Sequence, residues 1–431
     1  MKVGDILQVT TKEGDTHSGL LIPCPNKNIV TLKLDSGYNL SFKKNKIKSS
    51  KVIGKPKTNK ETIIKSNPKN PRLKKIVILH VGGTFASKVG YSTGGVESKF
   101  DNQELLNMFP ELNTIANIES KLMFNLFSED MNFNHYNSLA NEIEKQIKNG
   151  TDGVIITQGT DTLVYTGCAL TFILENLNIP VILVGSQRSS DRGSSDAALN
   201  IICAAQFIVK SDFNGVGLCM HENSGDKNCL ILNPLKSKKL HTSRRDAFKP
   251  VNGEPLAKID KNGNLIFVNY TIKKSEHDLV LKLLNPKLKI GILVSHPNIS
   301  SSEIKLFNKF NGLILDGTGI AGNFPINKTD KFTLENKNIY NELKKLGKKM
   351  PLFAVSQCIF GRVNMNVYST GRLLQEANIQ GNMQDLTLET AYIKLAWLLS
   401  NYKLKQVKTL LSYNLKGEVS DRLKYKEDFL G

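Results

Sequence analysis

The chain has 431 residues, 40% hydrophobic and 23% charged, a globular composition too long for one hydrophobic core. Its formal charge is +19, and residues 1–75 hold 17 Lys or Arg against five Asp or Glu, which suits nucleic-acid contact or simply a solvated Lys-rich surface. The most apolar stretch, 168–185, is interrupted by Glu175, Asn176 and Asn178, and the opening MKVGDILQ lacks a signal-peptide core, so neither a membrane span nor secretion is expected. The six cysteines form no C-x-x-C pair and the seven histidines no H-x-x-x-H, which points to reduced thiols and no metal.

In chain order, residues 3–48 read as short strands separated by KEGDT, DSG and similar turn signals, and a five-strand barrel of the Sm or SH3 type fits residues 1–50. Residues 51–71 are polar, contain three prolines and read as a linker. From residue 72 the pattern becomes short apolar runs followed by small or polar residues: KIVILHVGG, DGVIITQGTD, IPVILVGSQ and GVGLCM. Between the first two, Phe133, Tyr136, Ala140, Ile143 and Ile147 share one helical face, with Gly150 as the stop. Strands alternating with helices imply a parallel α/β sheet over 72–285. A second set, KIGILVSHP, GLILDGTG and PLFAVSQ, implies another α/β unit over 286–431.

Ligands of open α/β sheets bind beyond the carboxyl ends of the strands, where HVGGT puts Thr84 and QGTDT puts Thr160 and Asp161. The preceding glycines let backbone N–H groups approach a reacting oxygen. Either motif alone is ordinary for a strand-to-helix turn. Together, in a chain with no Ser-His-Asp pattern, they favour a threonine nucleophile, which needs a neighbour to take its proton. An ordinary lysine, with a pKa near ~10.4, offers a free amine in roughly one molecule in a few thousand at pH 7, so burial or coupling through Asp161 would have to compensate.

HVGGTFAS with QGTDTLVYT, in that order and about 75 residues apart, resembles the two signatures of the type I/II L-asparaginase family over roughly residues 74–415. VGSQRSSDRGSSDAALN, KKLHTSRRDAFKPVNGEPLAKI and CIFGRVNMNVYSTGRLL look like one branch of it, the D-type subunits of archaeal glutamyl-tRNA(Gln) amidotransferases, which also carry an N-terminal barrel. The resemblance implies an asparaginase-like fold of two parallel-sheet domains preceded by that small β-barrel. It implies that Thr84 is the nucleophile, that Thr160, Asp161 and Lys239 form a proton relay, that Tyr91 closes over substrate, and that Ser128 and Glu129 hold its α-carboxylate and α-amino groups. Lys236 and Lys238 are competing choices for Lys239, Ser128 and Glu129 could instead cap a helix, and Asn298 is a weaker match to a residue reaching a partner's site. Arg244 and Arg245 could contact tRNA phosphate or form internal ion pairs. Gln158, Leu163 and Gly193 depart from the branch, which bears on pocket shape. No C-terminal Glu of the kind that completes a neighbour's site in some free asparaginases is recognisable.

The resemblance further implies a cytoplasmic glutaminase subunit that releases ammonia from Gln or Asn for conversion of Glu-tRNA(Gln) to Gln-tRNA(Gln). No phosphate-cradling glycine loop is present, so ATP and Mg are expected on the partner, the E-type amidotransferase subunit, in a heterotetramer built on a homodimer of this chain. The alternatives are a free-standing cytoplasmic L-asparaginase and a non-catalytic RNA-binding protein on the same scaffold.

Overall fold

The structure, a computed structural model, describes residues 2–34, 38–55, 70–83, 108–190, 193–272, 274–423, 425 and 427, and the backbone of 87–89 and 96–98. The N-terminal sheet comprises β1 (Ile6–Thr11), β2 (Thr16–Ile22), β3 (Ile29–Lys33), β4 (Asn39–Lys43) and β5 (Ile47–Gly54), antiparallel in the order β4-β3-β2-β1-β5. Its edges, β4 and β5, are joined only by the 3-10 turn Lys44–Lys46. In a flat sheet they would stand about 19 Å apart, whereas the four residue steps from Lys43 to Ile47 reach at most about 14 Å. The sheet must therefore curl, and it does so around Leu7, Val9, Leu32 and Phe42, as the barrel reading expected.

The large sheet follows. Its strands are β6 (Lys75–Gly82), β7 (Asn117–Leu126), β8 (Gly153–Thr157), β9 (Pro180–Val184), β10 (Gly215–His221), β11 (Asn228–Leu232), β12 (Ala257–Asp260) and β13 (Leu265–Val268), in the spatial order β13-β12-β11-β10-β9-β8-β6-β7. The five strands from β7 to β10 are parallel. Four of them are the apolar runs read from the sequence, whereas the edge strand β7, NIESKLMFNL, is only partly buried and was not among them. The other three extend the sheet antiparallel beyond β10, an addition that the sequence reading did not resolve. Helix α1 (Phe133–Lys148) is capped by Asn132 and His135 and ends before Gly150 at φ +71; with α2 (Leu163–Ile173) it packs into the core on one face, and α3 (Ala197–Lys210) into that on the other.

A parallel sheet of β14 (Ile290–Val294), β15 (Gly312–Gly317), β16 (Leu352–Ser356) and β17 (Ile379–Gln380) forms the C-terminal unit. Helix α4 (Glu335–Lys349) covers one side through Ile339, Leu343 and Leu346. Helix α5 (Leu388–Asn401) puts Ile393, Trp397 and Leu398 into the same core as Phe172 and Ile173 of α2, which fastens this unit to the large sheet.

Candidate active site

Strands β7, β6, β8, β9 and β10 follow a 2-1-3-4-5 order, so the connections diverge between β6 and β8, where open α/β sheets bind ligands. Strand β6 ends there at Gly82 and β8 at Thr157, just before Thr160. His80 of β6 pairs in register with Thr157 of β8, and the loops beyond them run side by side. Beneath them the His80 ring nitrogen Nδ1 and Thr157 Oγ1 are 2.5 Å apart, both fully buried, and burial pulls the imidazole pKa down to about 4.

Glycine is required where the loops touch. Gly82 and Gly83 have φ of +121° and +82°, and a Cβ on Gly83 would lie 2.5 Å from Gly159 Cα. Gly159 in turn packs on Ser128, where its own Cβ would stand 2.9 Å from Ser128 Cβ. Thr84, next in the chain after Gly83, and Tyr91 lie outside the described residues.

Thr160, Asp161 and Lys239 meet. Lys239 Nζ is 2.8 Å from Thr160 Oγ1 and 2.8 Å from Asp161 Oδ1. The threonine is 8% exposed and the Lys239 side chain 14%, while the Asp161 side chain is 68% exposed. An ammonium held this way donates to both oxygens; a neutral amine could instead accept the Thr160 proton with the carboxylate ready to stabilise the resulting charge.

Lys239 ends a three-residue strand, Ser237–Lys239, paired with Phe248–Pro250. The competing lysines are occupied elsewhere: Lys236 Nζ is 2.8 Å from Asp385 Oδ2, and Lys238 Nζ is 2.5 Å from Glu389 Oε1. Alternation along the strand separates Lys238 from Lys239. The turn that launches the strand, Pro234–Lys236, is capped by Asn233 and packs on Gly167 of α2.

Ser128 is buried in a 3-10 turn, Ser128–Asp130, and Glu129 is exposed beside it. Neither caps α1, because Asn132 does so. Thr162 ties this turn to the Thr160 loop: its hydroxyl donates to the Ser128 carbonyl at 2.5 Å and accepts from Gln158 Nε2 at 3.2 Å. The departing residue Gln158 thus braces the loop, Leu163 is buried at the start of α2, and a Cβ on Gly193 would meet open space. Sequence reading gave no role to Thr162, although it closes the QGTDT motif. It also missed Asp196, which is buried and accepts from Ser186 Oγ and the Gln187 and Arg188 amides, fixing the loop whose Gly185 leans on Thr160.

Arg244 forms a bidentate pair with Asp246, and Arg245 pairs with Asp226, so both side chains have partners within the fold. Asn298 occupies an exposed left-handed turn at φ +63°. All six cysteines are unpaired, and among the described residues no group of three or more His, Cys, Asp or Glu is arranged to hold a metal ion. No helix among them is long and apolar enough to cross a membrane.

Two α/β units with a polar cluster at the switch point of the larger one make an asparaginase-type fold, and the family comparison agrees. The "Asparaginase, N-terminal" family matches residues 75–273, the "Glutaminase/Asparaginase C-terminal domain" 289–411, and the "GatD N-terminal domain" 1–53. Among solved structures, the thermostable L-asparaginase from Thermococcus kodakarensis superposes with a TM-score of 0.69 at 25% identity, covering 81% of this chain and 100% of that one. L-asparaginase I from Vibrio cholerae gives 0.68 at 26% identity, covering 81% and 99%. The D-type subunit of glutamyl-tRNA(Gln) amidotransferase from Methanococcus maripaludis is 38% identical over 98% of this chain and 99% of its own length. Its counterpart from Pyrococcus abyssi is 37% identical over 97% and 95%. The chain therefore belongs to the family of D-type glutamyl-tRNA(Gln) amidotransferase subunits.

Proposed function

We propose that this chain is the ammonia-releasing subunit of a cytoplasmic, tRNA-dependent amidotransferase. Thr84 attacks the side-chain amide carbonyl of glutamine or asparagine, and its hydroxyl proton leaves through Thr160 and the Lys239 amine while Asp161 stabilises the lysinium that forms. Ammonia departs with a proton returned along the same path, and water then hydrolyses the acyl ester on Thr84 to release glutamate or aspartate. Ser128 and Glu129 hold the α-carboxylate and α-amino groups, and Tyr91 covers the amide. The chemistry in this chain needs no cofactor, since the nucleophile and the proton carriers are all side chains. The ammonia serves a second subunit, of the E type, which activates Glu-tRNA(Gln) with ATP and Mg.

The observation that carries this reading is the Lys239 ammonium within 2.8 Å of both Thr160 and Asp161, beside the crevice at which β6 ends with Gly82. Full-length identity to the D-type relatives, barrel included, supports the amidotransferase over the free asparaginase. The test uses the chain with its partner subunit. Thr84→Ala and Thr160→Val should abolish glutamine hydrolysis and glutamine-dependent transamidation, yet added ammonium should still support transamidation by the Thr84→Ala complex. Near-normal hydrolysis by either variant would sink the site assignment, and failed ammonium rescue in an intact complex would sink the donor role.

A further inference from the structure

The strand that carries Lys239 is short, and the loop that follows, His241–Arg244, is exposed. Its anchors come from the C-terminal unit. Leu235 O accepts from Thr390 Oγ1 at 2.9 Å, Lys236 reaches Asp385, and Lys238 reaches Glu389. Asp385 is fixed in turn by the Ser420 amide at 3.1 Å, and Glu389 lies in the first turn of α5, capped by Thr387. Asn252, just beyond the returning strand, donates to Gly361 O and Asp385 O. The Lys239 hairpin is thus bound at both ends to a unit that contributes none of the partners of the Lys239 ammonium.

We infer that Glu389, through its 2.5 Å ion pair with Lys238, is a positioning residue for Lys239: it holds the hairpin at the register that keeps the Lys239 amine between Thr160 and Asp161. This rests on the proton-relay reading above. Adjacent residues of a strand move together, so a displaced Lys238 displaces Lys239. The half-buried Asp316 near the end of β15 also feels the Lys238 charge. Burial, opposed by Lys238 and reinforced by Glu389, raises the Asp316 carboxyl above its usual range. A shift of about 1 Å in a group that must meet a reacting oxygen can lower turnover by up to about a hundredfold.

Removing one partner of a half-buried ion pair also destabilises a protein, so kcat alone would not separate positioning from folding. The experiment compares Glu389→Gln, Lys238→Met and the double variant Lys238→Met/Glu389→Leu in the full complex, measuring kcat and KM for glutamine hydrolysis and the melting temperature. The double variant removes both charges of the pair, so its melting temperature should return towards wild type. Its kcat should stay about ten- to a hundredfold low, with KM within about twofold, as in the single variants. Recovery of kcat together with melting temperature in the double variant, or normal kcat in the singles, overturns the inference. Lys239→Met, run alongside, keeps the two readings apart. If it abolishes turnover while the double variant is normal, only the role of Glu389 falls; if it turns over normally, the relay itself falls.

Discussion

Replacing Lys239 by Met removes the two 2.8 Å contacts to Thr160 and Asp161 while retaining most of the hydrocarbon stem. A general acid/base contribution of about 10²- to 10⁴-fold corresponds to about 2.7–5.5 kcal/mol of barrier. Stability should hardly change, because the Asp161 side chain is 68% exposed and its carboxylate stays hydrated without a partner; about 1 kcal/mol or less is at stake. Lys236→Met should behave in the opposite way. Its partner, the Asp385 side chain, is fully buried, and stranding a buried carboxylate costs about 3–5 kcal/mol, which should lower the melting temperature by several degrees. Turnover measured by ammonia release, beside thermal melts of both variants, checks the pair. If Lys239→Met kept turnover within about tenfold of wild type, or if Lys236→Met reproduced the Lys239 pattern with no loss of stability, the assignment of the relay lysine would be wrong.

Gly83→Ala should abolish activity and lower stability, since φ +82° is strained for alanine and the new Cβ would collide with Gly159; an active, stable variant would show that the two loops can separate. Acid should destabilise the large sheet through His80. The folded form holds the ring neutral with a pKa near 4, whereas the unfolded chain protonates near 6.5, so this contribution is complete above about pH 6.5 and is lost as pH falls towards 4, by about 3 kcal/mol. Denaturant titrations across that range should show the loss, and His80→Gln should flatten it; an unchanged pH slope in that variant would refute the cause. A chain starting at Arg72 should keep its α/β units but lose a salt-sensitive part of tRNA-dependent activity, because the barrel region concentrates the positive charge. Unchanged activity and salt dependence would remove any nucleic-acid role for that segment.

The four apolar parallel strands and the glycines at the ends of β6 and β8 were legible in the order of residues alone. Parallel strands buried on both faces must be continuously apolar, so VIIT and VILV declare themselves, and glycine before threonine marks where the chain turns over a ligand. Among three lysines within four residues the resemblance chose Lys239, but spacing alone could not, because strand alternation says that neighbours point apart but not towards what. Folding assigned Lys236 to Asp385, Lys238 to Glu389 and Lys239 to Thr160, since those partners lie 149, 151 and 79 residues away. Arg244 and Arg245, legible equally as phosphate ligands or internal pairs, form ion pairs in the fold with Asp246, two residues on, and with Asp226. The antiparallel strands β11 to β13 also escaped the pattern, because they are four or five residues long and share no burial pattern, from the almost fully buried NCLIL to the largely exposed LIFV. Local chemistry is written in spacing, whereas the pairing of charges depends on which distant segments the sheet brings together.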